Sequence, residues 1–216
     1  KLTAIGAFAP ARWLVCGETC AVKIKVEVAV NAPEGARTAA KLSVWREAKR
    51  AALSRYDEVG ATGLEWAAEY PAAPDALPAL DAPLIESPYV SGETTHGPAF
   101  QVLQEMRRSR DGASCRLDAG AGTVPVGKIH PALLDGCTHA VPFSCLTQWY
   151  PELAEHWNGL PRGVRAVRFF AATPERGAVR CELRPRGLDP VTKLPQVYVQ
   201  FIVGARVWCD LEMEFA

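Results

Sequence analysis

A carboxylic acid and an imidazole, Asp135 and His139, stand four residues apart in the stretch Lys128 to Ala140, KIHPALLDGCTHA. On a helix, residues at that spacing project from one face, so the two groups converge on one small volume. Held together, a carboxyl and an imidazole can deliver a proton to a leaving group and fix the direction it comes from, which is general acid catalysis. The same spacing also fits an Asp–His hydrogen bond on a helix surface, worth roughly a few tenths of a kcal/mol. The helix should begin at about His130. Pro131 suits a first turn because it has no N–H to waste there, and Ala132, Leu133 and Leu134 supply the apolar face. Leu133, Leu134 and Cys137 take the other directions and pack. Gly136 leaves room beside the carboxyl for something to approach, at some cost in helix propensity. His130 lies five residues before Asp135, projects elsewhere and reads as a cap.

The other reactive residue types are weaker candidates. His96 opens His96-Gly97-Pro98-Ala99-Phe100-Gln101, where it either hydrogen-bonds within the turn or lines the mouth of the same pocket. His156 reads as part of a solvated helical turn. Cys16 and Cys20 have no further Cys or His nearby to complete four ligands, so no metal is expected. Cys137 is a small core-facing residue with no base aimed at it. Gly17, Gly60 and Gly63 make no phosphate cradle.

The segment HPALLDGCTH resembles the second signature of the dehydratase domains of polyketide synthases and of related multienzymes that make polyunsaturated fatty acids. That signature runs His-Pro-x-x-x-Asp-x-x-x-Gln/His. Upstream, Gly97-Pro98-Ala99-Phe100 is similar to their Gly-Pro-x-Phe, which follows an aromatic residue. The two matches together favour chemistry over a surface hydrogen bond. The resemblance implies an α+β, double hotdog fold, in which two antiparallel sheets wrap central helices. It implies elimination of water from a β-hydroxyacyl chain on an acyl carrier protein, giving an enoyl thioester. Asp135 is then the catalytic acid and His139 its polar partner, with His96, Gly97, Pro98, Phe100, His130 and Pro131 around the substrate. No cofactor is implied beyond the carrier's phosphopantetheine. The implied partners are the acyl carrier protein, neighbouring domains of the same multienzyme and a second copy in a homodimer.

The family's other catalytic residue is a His within His-x-x-x-Gly-x-x-x-x-Pro, and this chain has no histidine before His96. Leu2, Gly6 and Pro10 echo the pattern faintly, with Leu where His would stand. The first hotdog is therefore expected to be incomplete or degenerate. The alternative function is an inactive, dehydratase-like hotdog that binds acyl-carrier intermediates or serves dimerisation. Elimination needs a base for the α-proton and an acid for the leaving hydroxyl. A carboxyl desolvated between Leu133 and Leu134 would stay protonated near neutral pH and fill the second role.

Bulk properties bound these readings. The 216 residues are 49% hydrophobic and 22% charged, a foldable composition with enough chain for one large core or two fused small ones. Lys plus Arg equals Asp plus Glu at 24 each, so no charge excess points to nucleic acid or an anionic membrane. Seven cysteines without framework spacing, and no signal peptide, suggest a reduced, cytoplasmic chain. No run approaches the roughly 20 apolar residues of a membrane span.

The elements that must position the site follow from periodicity. Cys20 to Val30 alternates, with Val22, Ile24, Val26 and Val28 on one face and Lys23, Lys25 and Glu27 on the other. Asn31 to Gly35 is turn chemistry and Ala39 to Arg46 resumes the alternation, so a hairpin is expected. Lys49 to Tyr56 reads as a helical turn and Val59 to Ala67 as a returning strand. Five prolines between Tyr70 and Pro88 mark an ordered surface linker. The division expected is a first hotdog over 1–70, a linker over 71–88 and a second hotdog over 89–216. Within the last, a helix is expected from Phe100 towards Arg108, whose start near Gly97 could aim N–H groups at a thioester oxygen. A strand over Ala113 to Leu117 precedes the Asp135 helix. Val141 to Tyr150 is a kinked continuation between Pro142 and Pro151. Strands are expected over 163–172, 178–185, 196–205 and 206–215.

Overall fold

The computed structural model describes residues 1–6, 8–9, 22–29, 38–46, 55–154, 157 and 159–216. Its first strands are β1 (Leu2–Ile5), β2 (Phe8–Ala9), β3 (Val22–Ala29), β4 (Thr38–Arg46) and β5 (Arg55–Trp66). Then come β6 (Leu84–Ile85), a single helical turn α1 (Pro88–Ser91), β7 (Leu103–Ser109) and β8 (Gly112–Asp118). Helix α2 (Pro131–Gly136) follows, and the chain returns through β9 (Pro161–Phe169), β10 (Ala178–Leu188), β11 (Pro195–Val203) and β12 (Arg206–Phe215). All the strands join one 12-stranded sheet, ordered β3-β4-β5-β1-β9-β12-β11-β10-β8-β7-β6, with β2 pairing β5 and β9 beside this path. Every pairing is antiparallel. This is hotdog architecture.

The alternating stretches become strands as the period of two requires. β3 and β4 pair from Val22↔Arg46 to Ala29↔Ala39. The turn expected between them, the helical turn expected over Lys49 to Tyr56 up to residue 54, His156 and the Cys16/Cys20 pair lie outside the described residues. Arg55 and Tyr56 already belong to β5. β11 and β12 form a hairpin across Gly204-Ala205, where Gly204 takes φ +61°, the left-handed conformation that a two-residue turn demands.

The helix expected from Phe100 towards Arg108 does not form. Pro98–Phe100 makes one turn of 3-10 helix, and from Leu103 the chain is the strand β7, hydrogen-bonded to β8 across the Arg110-Asp111 turn. QVLQEMRRSR is rich in good helix formers, but Leu103 and Met106 are buried against the core and the strand is paired along its length with β8. Local propensity yields to tertiary pairing.

The inner face of the sheet is apolar: Cys115 and Leu117 of β8, Cys181 and Leu183 of β10 and Val199 and Phe201 of β11 join Ala132, Leu133 and Cys137 of α2 in one core. The outer face is crossed by the proline-rich segment 71–83. Ala73 and Ala76 pack on Phe170, Ile202 and Val207. Gln200 accepts from the Leu77 N–H and donates to the Asp75 carbonyl, and Arg180 and Arg184 donate to the carbonyls of Leu77 and Pro78. Beneath it Glu182, fully buried, accepts from Ser114 Oγ, Arg180, Arg184 and the Leu80 N–H. A buried carboxylate is tolerated because each oxygen is paired. No described helix is long and apolar enough to cross a membrane.

Candidate active site

His130 builds the start of α2. Its Nδ1 accepts the Leu133 N–H at 3.2 Å and its Nε2 lies 3.0 Å from the Ala119 carbonyl. Those partners fix one neutral tautomer, acceptor at Nδ1 and donor at Nε2, and leave no ring nitrogen free. Pro131 occupies the first turn. The resemblance puts both residues around the substrate, while the sequence itself reads His130 as a cap; the structure gives His130 the capping position, buried and facing the 119 loop.

Asp135 lies at the end of α2, and residues 138–140 tighten into a 3-10 turn that keeps His139 on the same face. His139 Nε2 is 3.1 Å from Asp135 Oδ2, and the His139 side chain is wholly buried. Its other nitrogen, Nδ1, lies 2.7 Å from the Tyr89 hydroxyl, which also accepts the Leu103 N–H at 3.2 Å. Tyr89 arrives on α1, whose first turn is capped by Ser87. A chain of hydrogen bonds therefore runs from the β7 backbone through a phenol and an imidazole to a carboxylate.

His96 stands beside His139 against the same carboxylate. Its Nε2 is 3.4 Å from Asp135 Oδ2, its Nδ1 is hydrogen-bonded to Thr94 Oγ1, and its ring centroid is 4.0 Å from that of His139. It meets both readings the sequence left open, hydrogen-bonding to Thr94 within the turn and standing beside Asp135. Glu93 fixes the segment by a two-pronged pair with Arg108 at 2.9 and 3.1 Å, and Arg108 also donates to the Ala140 carbonyl. One guanidinium thus ties the His96 segment, β7 and the His139 turn together. Burial, and next the neighbouring His139, lower the pKa of His96 below its ordinary value of 6.5, with Asp135 opposing them. Burial raises that of Tyr89.

Gly97 precedes the 98–100 turn, and Phe100 packs partly buried against the core with its ring 6.4 Å from that of His96. Three residues of 3-10 helix make no helix N-terminus of consequence, which corrects the expectation of one near Gly97. Gly122, at φ +79°, brings the 118–123 loop against this turn; a Cβ there would meet the Ala99 carbonyl oxygen at 2.3 Å. Gly136 also departs from expectation. The space beside it is filled, since a Cβ would stand 2.7 Å from Val102 Cγ2. It serves close packing of α2 on the sheet and not ligand approach. The thiol of Cys137 is fully buried, bonded to the Leu134 carbonyl and pushed well above its ordinary pKa by burial, so it has no nucleophilic character.

Asp135 and His96 keep about a third of their side-chain surface, 34% each, while His139 keeps none. Among the described residues these three form the cluster of His, Cys, Asp or Glu donors close enough to share a cation. Sequence reasoning missed Tyr89, Thr94 and the Glu93–Arg108 pair. Tyr89 and the Glu93–Arg108 pair join the site through contacts distant in sequence, and Thr94 through its bond to His96 two residues on.

With this geometry in hand, comparison with known proteins is informative. A family model described as the polyketide synthase dehydratase N-terminal domain matches residues 71–191, more than half of the chain. No curated protein matches. Among solved structures, the dehydratase domain from the CurH module of the curacin polyketide synthase is similar with a TM-score of 0.71 at 11% identity, over 99% of this chain and 77% of that one. The dehydratase domain of RzxB from Pseudomonas fluorescens gives 0.64 at 16% identity, over 99% and 75%. A monomeric dehydratase domain from a trans AT polyketide synthase split module gives 0.69 at 14%, over 99% and 81%. At such identities the likeness establishes the fold.

Proposed function

Because the chain belongs to the polyketide synthase dehydratase family, we propose that Asp135 is the acid of a dehydratase acting on a β-hydroxyacyl chain carried by the phosphopantetheine of an acyl carrier protein. In the elimination a base takes the α-proton, the Cα–H electron pair forms the new Cα=Cβ bond, the Cβ–O bond breaks, and the departing hydroxyl takes a second proton to leave as water. Asp135 supplies that proton. His139 is its positioning residue: with Tyr89 at Nδ1 and Asp135 at Nε2, the imidazole cannot rotate, and the carboxyl it holds stays aimed at the open side of the site.

The observation that carries this reading is the 3.1 Å contact between His139 and Asp135 inside a site that keeps Asp135 partly open. The neighbouring domains of a multienzyme would deliver the carrier. The two hotdogs would correspond to residues 1–70 and 89–216, joined by 71–88. A second reading, an inactive hotdog that holds acyl-carrier intermediates, is favoured by one observation: the sequence has no histidine ahead of His96 to serve as the family's base.

Mass spectrometry of a β-hydroxyacyl phosphopantetheine thioester, incubated with the chain and with Asp135→Asn, separates them. Loss of water with the unaltered chain, reduced roughly 100-fold or more in the variant, supports the acid role. Retained acyl binding with no elimination by either protein moves the assignment to the binding module.

A further inference from the structure

His96, Asp135 and His139 come from three separate segments, yet their ligating atoms all lie within 4.8 Å of one another. Both imidazoles turn Nε2 towards the same oxygen, Asp135 Oδ2, at 3.4 and 3.1 Å. Donor atoms around a tetrahedral zinc ion lie roughly 3.3 Å apart, given metal–ligand bonds of about 2.1 Å. The two His–Asp separations already have that length. The geometry points to a binding site for a divalent ion of the zinc class, held by His96 Nε2, His139 Nε2 and Asp135 Oδ2.

The surroundings fit such an ion. A metal-bound imidazole is normally oriented by a hydrogen bond at its other nitrogen. Here both rings have one: Tyr89 holds His139 Nδ1 and Thr94 holds His96 Nδ1. In the liganded tautomer each Nδ1–H donates to its hydroxyl. The Tyr89 oxygen, which also receives the Leu103 N–H, has a lone pair for each donor. Two imidazoles with one carboxylate suit zinc, cobalt or nickel rather than magnesium or calcium, which take oxygen ligands. Exposure of His96 and Asp135 leaves a fourth position for water or another small ligand. The absence of metal expected from Cys16 and Cys20 did not weigh this set, because 39 residues separate His96 from Asp135 in the chain.

Ion binding itself is independent of the dehydratase reading; its consequence rests on it. The ion would hold Asp135 as a carboxylate, which cannot at the same time be the protonated acid, so metal-bound and dehydrating states exclude one another.

The test titrates the full, metal-free chain with Co²⁺, followed by visible absorption, and then with Zn²⁺ in competition. One equivalent of Co²⁺ with the intense bands of a four-coordinate ion, displaced by Zn²⁺, is expected. Tyr89→Phe should weaken binding roughly 10-fold or more, with His96→Tyr, His139→Gln and Asp135→Asn weakening it further. Cys145→Ser and the double change Cys16→Ser, Cys20→Ser should leave it unchanged. Affinity indifferent to the triad substitutions, or lost with the cysteines, means an adventitious ion only and overturns the proposal. Should a triad variant fail to fold, the ring ¹⁵N resonances of the unaltered chain decide. Nε2 of His96 and His139 must shift with one equivalent of Zn²⁺, and stationary resonances refute the site. A chain that binds the ion but, when metal-free, eliminates no water keeps the metal site and removes only the acid role of Asp135.

Discussion

Tyr89 uses one hydroxyl for two tasks, receiving the Leu103 N–H and holding His139 Nδ1. Replacing it by Phe leaves the ring packed while freeing the imidazole to turn. Loss of a hydrogen bond of about 1 kcal/mol at a positioning residue should lower kcat roughly 5-fold. KM should change little, and the pH profile should shift because the Asp135–His139 pair has lost its fixed tautomer; steady-state kinetics across pH will check this. An unchanged profile would reduce Tyr89 to packing. At this scale the sequence was informative where chemistry is local. Asp135 and His139 could be paired because four residues on a helix face one way, and His130 could be read as a cap because Pro131 follows it. His96 could be offered only as one of two options, since what brings it against Asp135 is the Glu93–Arg108 ion pair and the fold of β7.

The helix α2 lies close to the sheet because Gly136 lacks a side chain. Ala at this position must push Val102 aside, and overpacking of this kind costs about 1–3 kcal/mol. Denaturant unfolding of Gly136→Ala should show that loss, whereas a site kept open for ligand would accept the methyl group at no cost. The element most misread was β7. Its residues Gln104, Glu105, Met106 and Arg107 favour helix in isolation, and nothing local announces that β8 will pair with them. β3, β4 and β10 to β12 were legible for the opposite reason: apolar residues recurring at every second position match the pleat directly. The β10–β11 loop offers a pH test. Asp189 accepts the N–H groups of Val191 and Thr192 and pairs with Arg165, and these, Thr192 first, hold its pKa well below the ordinary 3.8. A depressed folded-state pKa contributes stability above pH 3.8 that is lost as pH falls below it. Asp189→Asn should therefore melt at lower temperature than the unaltered chain at pH 7, with the difference narrowing below pH 3.8.

Across the whole molecule, Glu182 links the outer face of the sheet to the proline-rich segment. Its side chain has no solvent exposure, so removing its charge strands two arginines without their partner and frees the Leu80 N–H. Glu182→Ala should cost about 3–5 kcal/mol and expose residues 71–83 to proteolysis, which limited digestion will report. The prolines predicted that this segment would be extended and ordered over the surface. They could not say over which surface, because its hydrogen bonds reach Gln200 and Arg184, more than a hundred positions away.

The strand order carries one further consequence, for the time at which this protein becomes itself. β12 closes the described chain, yet it lies between β9 and β11, and β1 cannot meet its neighbour β9 until most of the chain exists. A ribosome releasing these residues in order would leave β1 and β11 each short of one neighbour until β9 and β12 emerge. The Asp135 site, already encoded in the middle, would wait for residues 206–215 to complete the wall behind it.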